Sequence, residues 1–147
     1  ELGLVRVVRV DTAQDVGRVL NPVSVQGQIE GGIMQGVGLA VMEELVIQDG
    51  VIRNPNFTDY LLPPAWETPG FELHEVVTPC PHHPIGAKGS GECPAVGGPA
   101  AFVNAVIDAV KHLGVKNIDM PVLPDRVYEA IKTGKDVSGA PPVRTDG

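Results

Sequence analysis

One carboxylate, Glu92, stands inside a stretch from Pro84 to Pro99 that holds five glycines: Gly86, Gly89, Gly91, Gly97 and Gly98. A carboxylate whose ordinary pKa is about 4.3 is ionised at pH 7 and can take a proton as a general base. Glycine admits positive φ and lets backbone approach a ligand closely. Successive N–H groups in such a loop converge into a concave nest for anions. An apolar, helix-like run follows from about Pro99 to Leu113. The loop therefore leads into a helix N-terminus, where unpaired donors and the macrodipole favour negative charge. A base in a glycine cradle beside an anion site is a catalytic arrangement. The same residues would also make an ordinary glycine-rich loop capped by a surface glutamate.

Two familiar phosphate loops are excluded. A Walker A loop needs Gly-Lys followed by Ser or Thr, whereas Lys88 lies between Gly86 and Gly89 with Ser90 beyond. A dinucleotide fingerprint needs a buried strand before it and a βαβ unit around it, and the preceding run Thr78–His83 is proline-rich. The adjacent His82 and His83 could bind metal, or simply lie on a loop surface; no metal site is expected. Cys80 and Cys93 are the only cysteines and form neither a disulfide framework nor a zinc motif. The net charge of −7, from 11 basic and 18 acidic residues, disfavours a nucleic-acid partner, which needs a basic patch. No apolar run reaches the ~18 residues of a membrane span. With no signal peptide legible, the expected location is cytoplasmic. The chain opens on Glu1 rather than Met, as a fragment or processed piece would.

The elements that must position Glu92 can be read from periodicity. The chain has 147 residues, 43% of them hydrophobic and only 4% aromatic. One domain with an aliphatic core fits that composition. Leu4–Val10 is Val-rich and strand-like; Asp11–Pro22 is a turn-rich connection. From Val23 to about Glu44, Ile29, Ile33, Val37, Ala40 and Val41 recur at helical spacing. That helix carries Gly27, Gly31, Gly32, Gly36 and Gly38, each costing about 1 kcal/mol against Ala. Close approach to another element or to a ligand would offset the cost. Asp49-Gly50 marks a hairpin within Leu45–Ile52. Arg53–Gly70 is irregular, and Phe71–Val77 alternates as a half-buried strand. In the helix from Pro99, one stripe contains Val103, Val106, Ile107, Val110 and Leu113, stopped by Gly114. A last helix runs from Pro124 to Thr133, with Val127 and Ile131 buried and Gly134 as its stop. Residues 1–134 are expected to form the domain and 135–147 a disordered tail. Strand-like runs without regular βαβ alternation predict an α+β fold, a mixed or antiparallel sheet packed against two long helices.

Two motifs now stand together: Gly27-Gln28-Ile29-Glu30-Gly31-Gly32-Ile33-Met34-Gln35-Gly36-Val37-Gly38 and Gly86-Ala87-Lys88-Gly89-Ser90-Gly91-Glu92. With the downstream Asn104-Ala105-Val106-Ile107-Asp108-Ala109 and Asp119-Met120-Pro121, the chain resembles the C-terminal part of the molybdenum hydroxylases. This is the xanthine dehydrogenase and aldehyde oxidase family, and the carbon-monoxide-dehydrogenase type of large subunit is most similar. The resemblance runs from about Leu4 to Lys132. It implies a molybdopterin-binding domain. It implies that Glu92 is the general base and not a metal ligand. It implies that Gln28, after Gly27, contacts the pterin with its amide, and that the backbone of Lys88, Gly89, Ser90 and Gly91 lies against the cofactor. The implied cofactor is molybdopterin with Mo, in its cytosine dinucleotide form. The implied reaction is hydroxylation of an aldehyde, an N-heterocycle or carbon monoxide with water-derived oxygen. Implied partners are the remainder of the large subunit, iron–sulfur and flavin (FAD) domains or subunits, and a small-molecule substrate. The chain departs from the pattern at Cys93, where another small residue or Pro is common. The substrate-selecting loop of the family lies upstream of these residues, so this piece alone is expected to be inactive. A stand-alone phosphate- or nucleotide-binding module, or an assembly piece without function, are the alternatives.

Overall fold

A computed structural model describes residues 2–138. They form two compact units: one from the described residues up to Val5, Gly38–Leu62 and those from Ala100 on, the other from Arg6–Val37 and Pro63–Pro99. The elements are β1 (Arg9–Asp15), α1 (Pro22–Val41), β2 (Ile47–Gln48), β3 (Val51–Ile52), β4 (Gly70–Val76), α2 (Cys93–Val110) and α3 (Pro124–Thr133). The α+β class is as expected; the sheets are two separate two-stranded ribbons.

In the second unit β1 and β4 pair in parallel, from Arg9 opposite Gly70 to Asp15 opposite Val76. Parallel strands need a long crossover, and α1 lies within that crossover. The strand is not Leu4–Val10 but begins where that run ends. Leu4 and Val8 stay exposed, and Thr12 to Asp15, expected as a turn, extend the ladder. Pairing with β4 outweighs the Val-rich propensity, because propensity in a strand depends on its neighbours. Val10, Thr12 and Gln14 of β1 alternate inward with Phe71 and Leu73 of β4. Ile29, Ile33 and Val37 of α1 are buried together with Val16.

In the first unit β2 and β3 make the expected hairpin. Asp49 at φ 51° and Gly50 at φ 76° form the tight turn that their types demand. Asn54 closes it: its Oδ1 accepts from Val46 N–H at 2.9 Å and its Nδ2 donates to Glu44 O at 2.6 Å. The core comprises Val110, Val115, Ile118, Val122, Val127 and Ala130, with Val103, Val106 and Ile107 of α2 against it. Two details differ from expectation. Ile131 and Leu113 are about two-fifths exposed; Ala130 takes the buried place in α3, and Leu113 lies in a 3-10 turn, Lys111–Leu113, beyond α2. Arg126 is buried, donating to Glu44 Oε1 at 2.8 Å and to Pro121 O at 2.9 Å. Gly134 ends α3 with φ 64°.

From the segment expected as a tail, Val137 bridges Ile118 and Asp136 Oδ1 accepts from Lys116 and Asn117 N–H; residues 139–147 lie outside the described residues. The run Cys93–Leu113, with 21 residues and a mean hydropathy of 1.4, is long and apolar enough to cross a membrane by length and composition alone. That corrects the expectation that no run reaches this length. Its stripe from Val103 to Val110 packs in the core just described.

Candidate functional site

Every sequence-predicted site residue falls in the second unit. The glycine loop is fastened to the end of β1 before it reaches Glu92. Arg18 N–H donates to Gly86 O at 2.9 Å and Lys88 N–H to Val16 O at 2.8 Å, an antiparallel bridge centred on Gly17 and Ala87. Gly17 has φ +63°, and a Cβ there would lie 2.4 Å from Gly86 O. No other residue fits without moving the loop. Cys80 N–H also donates to Gly86 O at 2.9 Å, and His83 Nε2 lies 2.7 Å from Ala87 O. His83 thus braces the loop. Among the described residues no group of three or more His, Cys, Asp or Glu gathers as a metal site.

Asp15 and Thr78 were not singled out by sequence, yet they hold this junction. Asp15 Oδ1 accepts from Gly17 N–H at 2.9 Å and from Thr78 N–H at 3.2 Å. Its Oδ2 accepts from the Thr78 hydroxyl and from Lys88 Nζ at 2.8 Å. Lys88 Nζ also donates to Thr78 Oγ1. The Lys88 hydrogen bond, then those from Thr78 and Gly17, hold the Asp15 carboxyl well below the usual carboxylate range. The signal available in sequence was Asp15-Val16-Gly17, an acid that turns the backbone two residues on.

Beyond Lys88 the backbone is open. The N–H groups of Gly89, Ser90, Gly91, Glu92 and Cys93 donate to no acceptor among the described residues. The helix begins at Cys93 rather than at Pro99, so Pro94 to Gly98, expected in the loop, form the first turns of α2. Proline suits a first helical turn because its missing N–H would be unpaired there anyway. Glu92 is consequently the residue that enters the helix: its carbonyl accepts from Ala95 N–H at 3.0 Å and Val96 N–H at 3.3 Å. Its side chain is exposed and has no hydrogen-bond or ion-pair partner among the described residues. Cys93 Sγ donates to Gly89 O at 3.3 Å, which folds the loop over its own end.

Gln28 comes to the same place from α1. A Cβ on Gly91 would lie 3.9 Å from Gln28 Oε1. One helical turn on, Gly32 packs on the Pro94 ring, with a Cβ there 3.1 to 3.3 Å from the ring carbons. The row from Gln28 to Gly32 therefore faces the segment from Gly91 to Pro94. Gly27 and Gly89 adjoin open space. The site thus assembles five unpaired backbone donors, one amide and one carboxylate. Such a donor set suits an anionic ligand with a mixed hydrogen-bonding edge, as a phosphorylated pterin has.

The chain is similar to a set of known proteins. Residues 1–69 match a family model described as a molybdopterin cofactor-binding domain. The chain is 41% identical over 131 residues to the carbon monoxide dehydrogenase large chain of Hydrogenophaga pseudoflava, covering 88% of this chain and 16% of that one. It is 36% identical over 138 residues to the nicotine 6-hydroxylase large subunit of Paenarthrobacter nicotinovorans, covering 93% of this chain and 17% of that one. The crystal structure of quinoline 2-oxidoreductase from Pseudomonas putida 86 superposes with a TM-score of 0.83 at 37% identity, over 87% of this chain and 16% of that one. The family match and the similarity in fold identify a molybdopterin cofactor-binding domain. The chain belongs to the molybdenum hydroxylase family, and it spans about a sixth of the length of these relatives.

Proposed function

We propose that the chain is the C-terminal portion of a molybdenum hydroxylase catalytic subunit, with Glu92 as the general base and Gln28 and the 88–91 backbone as part of the cofactor surface. The observation that carries this is the meeting of Gln28 with Gly91, next to an unpartnered carboxylate. When bound, molybdopterin with Mo, in its cytosine dinucleotide form, supplies the two-electron oxidation of an aldehyde, an N-heterocycle or carbon monoxide. The residues of this chain bind and orient. The N–H groups from Gly89 to Cys93 receive anionic groups, and the Gln28 amide donates to and accepts from a pterin edge. Gly27 lets that edge approach α1. A Glu92 Oε atom accepts the proton that a water-derived hydroxyl must lose before it attacks carbon. Iron–sulfur and flavin domains or subunits, with the rest of the large subunit, would carry the electrons away and enclose the substrate.

The test is Glu92→Gln in the full-length enzyme. It retains shape and removes the base, so kcat should fall by about 10² to 10⁴ with molybdenum content unchanged. An active, fully loaded variant would show that the base lies elsewhere. The open backbone donors also favour a second reading, a stand-alone nucleotide-binding module. Binding of a cytidine nucleotide by this chain alone, measured by calorimetry, would support it.

A further inference from the structure

We propose that Asp15, Thr78 and Lys88 form a latch that positions the glycine loop, and that Lys88 is a positioning residue and not a phosphate-binding cation. The inference rests on the reading that the loop carries Glu92 and the cofactor surface. A lysine in a glycine loop beside an anion site would ordinarily be assigned to the anion. Here its ammonium already has protein partners. It is held by Asp15 Oδ2 at 2.8 Å and by the Thr78 hydroxyl, while its own N–H is spent on Val16 O. Asp15 accepts four hydrogen bonds, from Gly17, Lys88 and twice from Thr78. The latch therefore joins three separate segments: the end of β1, the residues after β4, and the start of the loop. Its side chains are only partly shielded, with Lys88 36% and Asp15 29% exposed, so it trims the loop's mobility and does not hold the fold together. Four residues beyond Lys88 stands Glu92. Any play in the bridge at Gly17 and Ala87 displaces the whole donor row with it. Anion binding then falls to the backbone N–H groups alone.

The experiment uses the full-length subunit with Asp15→Asn, Lys88→Met, the double variant, and the pair Thr78→Val and Thr78→Ser. Hydrogen exchange of the Arg18 and Lys88 amides is measured beside molybdenum content. Asp15→Asn, Lys88→Met and Thr78→Val should each speed exchange about three- to tenfold. The double variant should lose no more than the worse single one, since one latch is broken either way. Thr78→Ser keeps the hydroxyl and should restore the exchange rate. Loss of molybdenum in Lys88→Met alone, with exchange unchanged and Asp15→Asn fully loaded, would overturn the proposal and make Lys88 a ligand of the cofactor. Unchanged exchange in all the variants would equally overturn it. Exchange does not depend on what Glu92 does, so a failure of the general-base reading leaves this result standing by itself.

Discussion

At the scale of the residue, Gln28 approaches Gly91, the neighbour of Glu92 in sequence, and on the proposed reading Gln28 and Glu92 have separable tasks. If that reading holds, Gln28→Ala spares the proposed base and removes one amide from the proposed cofactor surface, so molybdenum occupancy should fall before kcat per loaded site does. Metal analysis beside turnover distinguishes it from Glu92→Gln. Asp15 gives the pH dependence. Its folded carboxyl titrates below its unfolded value of about 3.9, so the unfolded state binds the proton first as pH falls. The stability it contributes is present above about pH 4 and is lost as pH drops through the lower folded value. The gap in thermal midpoint between wild type and Asp15→Asn should therefore be widest at neutral pH and close below pH ~4. A gap that persists unchanged to pH ~2 would show that the ion pair contributes nothing.

At the scale of the element, two glycines predict opposite outcomes. Gly17→Ala places a methyl 2.4 Å from Gly86 O at φ +63°, so strain and clash together should cost about 2 kcal/mol or more. Gly31→Ala lies in α1 with nothing within 4 Å and should stabilise by about 0.5 to 1 kcal/mol. Chemical denaturation reads both. In the other unit, Arg126→Ala removes the partner of Glu44 and the cover of the Pro121 carbonyl. Glu44 is about one-quarter exposed, which lowers the penalty of an unpaired charge. A loss of about 2 to 3 kcal/mol is expected. Arg126→Lys should recover only part of it, since a single ammonium cannot span the same fork of acceptors.

At the scale of the molecule, the exposed apolar side chains are numerous. Phe57 is 83% exposed, Trp66 79% and Leu4 74%. In a protein about six times longer, other residues would cover such side chains. The isolated chain should bind a hydrophobic dye and self-associate. It should also fail to retain molybdopterin, because a buried dinucleotide-type ligand needs walls on several sides. Mass spectrometry and metal analysis of the purified chain test this, and stoichiometric molybdenum would refute it.

What the sequence determined by itself was local chemistry. The 3.6-residue stripe located α1 and α3 to within a few residues, Asp49-Gly50 set the hairpin turn, and the two glycine motifs held Gln28 and Gly91, which the fold brings near each other. Each signal depends on neighbours a few positions apart, so one sequence carries it. The tertiary structure decided what depends on distant partners. The strand at Arg9–Asp15 exists because Gly70–Val76 lies beside it, and its polar composition concealed it. The parallel sense follows from the crossover, which periodicity does not encode. The start of α2 at Cys93 was hidden by Pro94, Gly97, Gly98 and Pro99, residues that read as loop and cost helix stability. Asp15 looked like a turn residue until Thr78 and Lys88, both more than sixty positions away, came within hydrogen-bond distance of its carboxylate. A side chain's role is legible in sequence when its partners are local, and only folding reveals it when they are not.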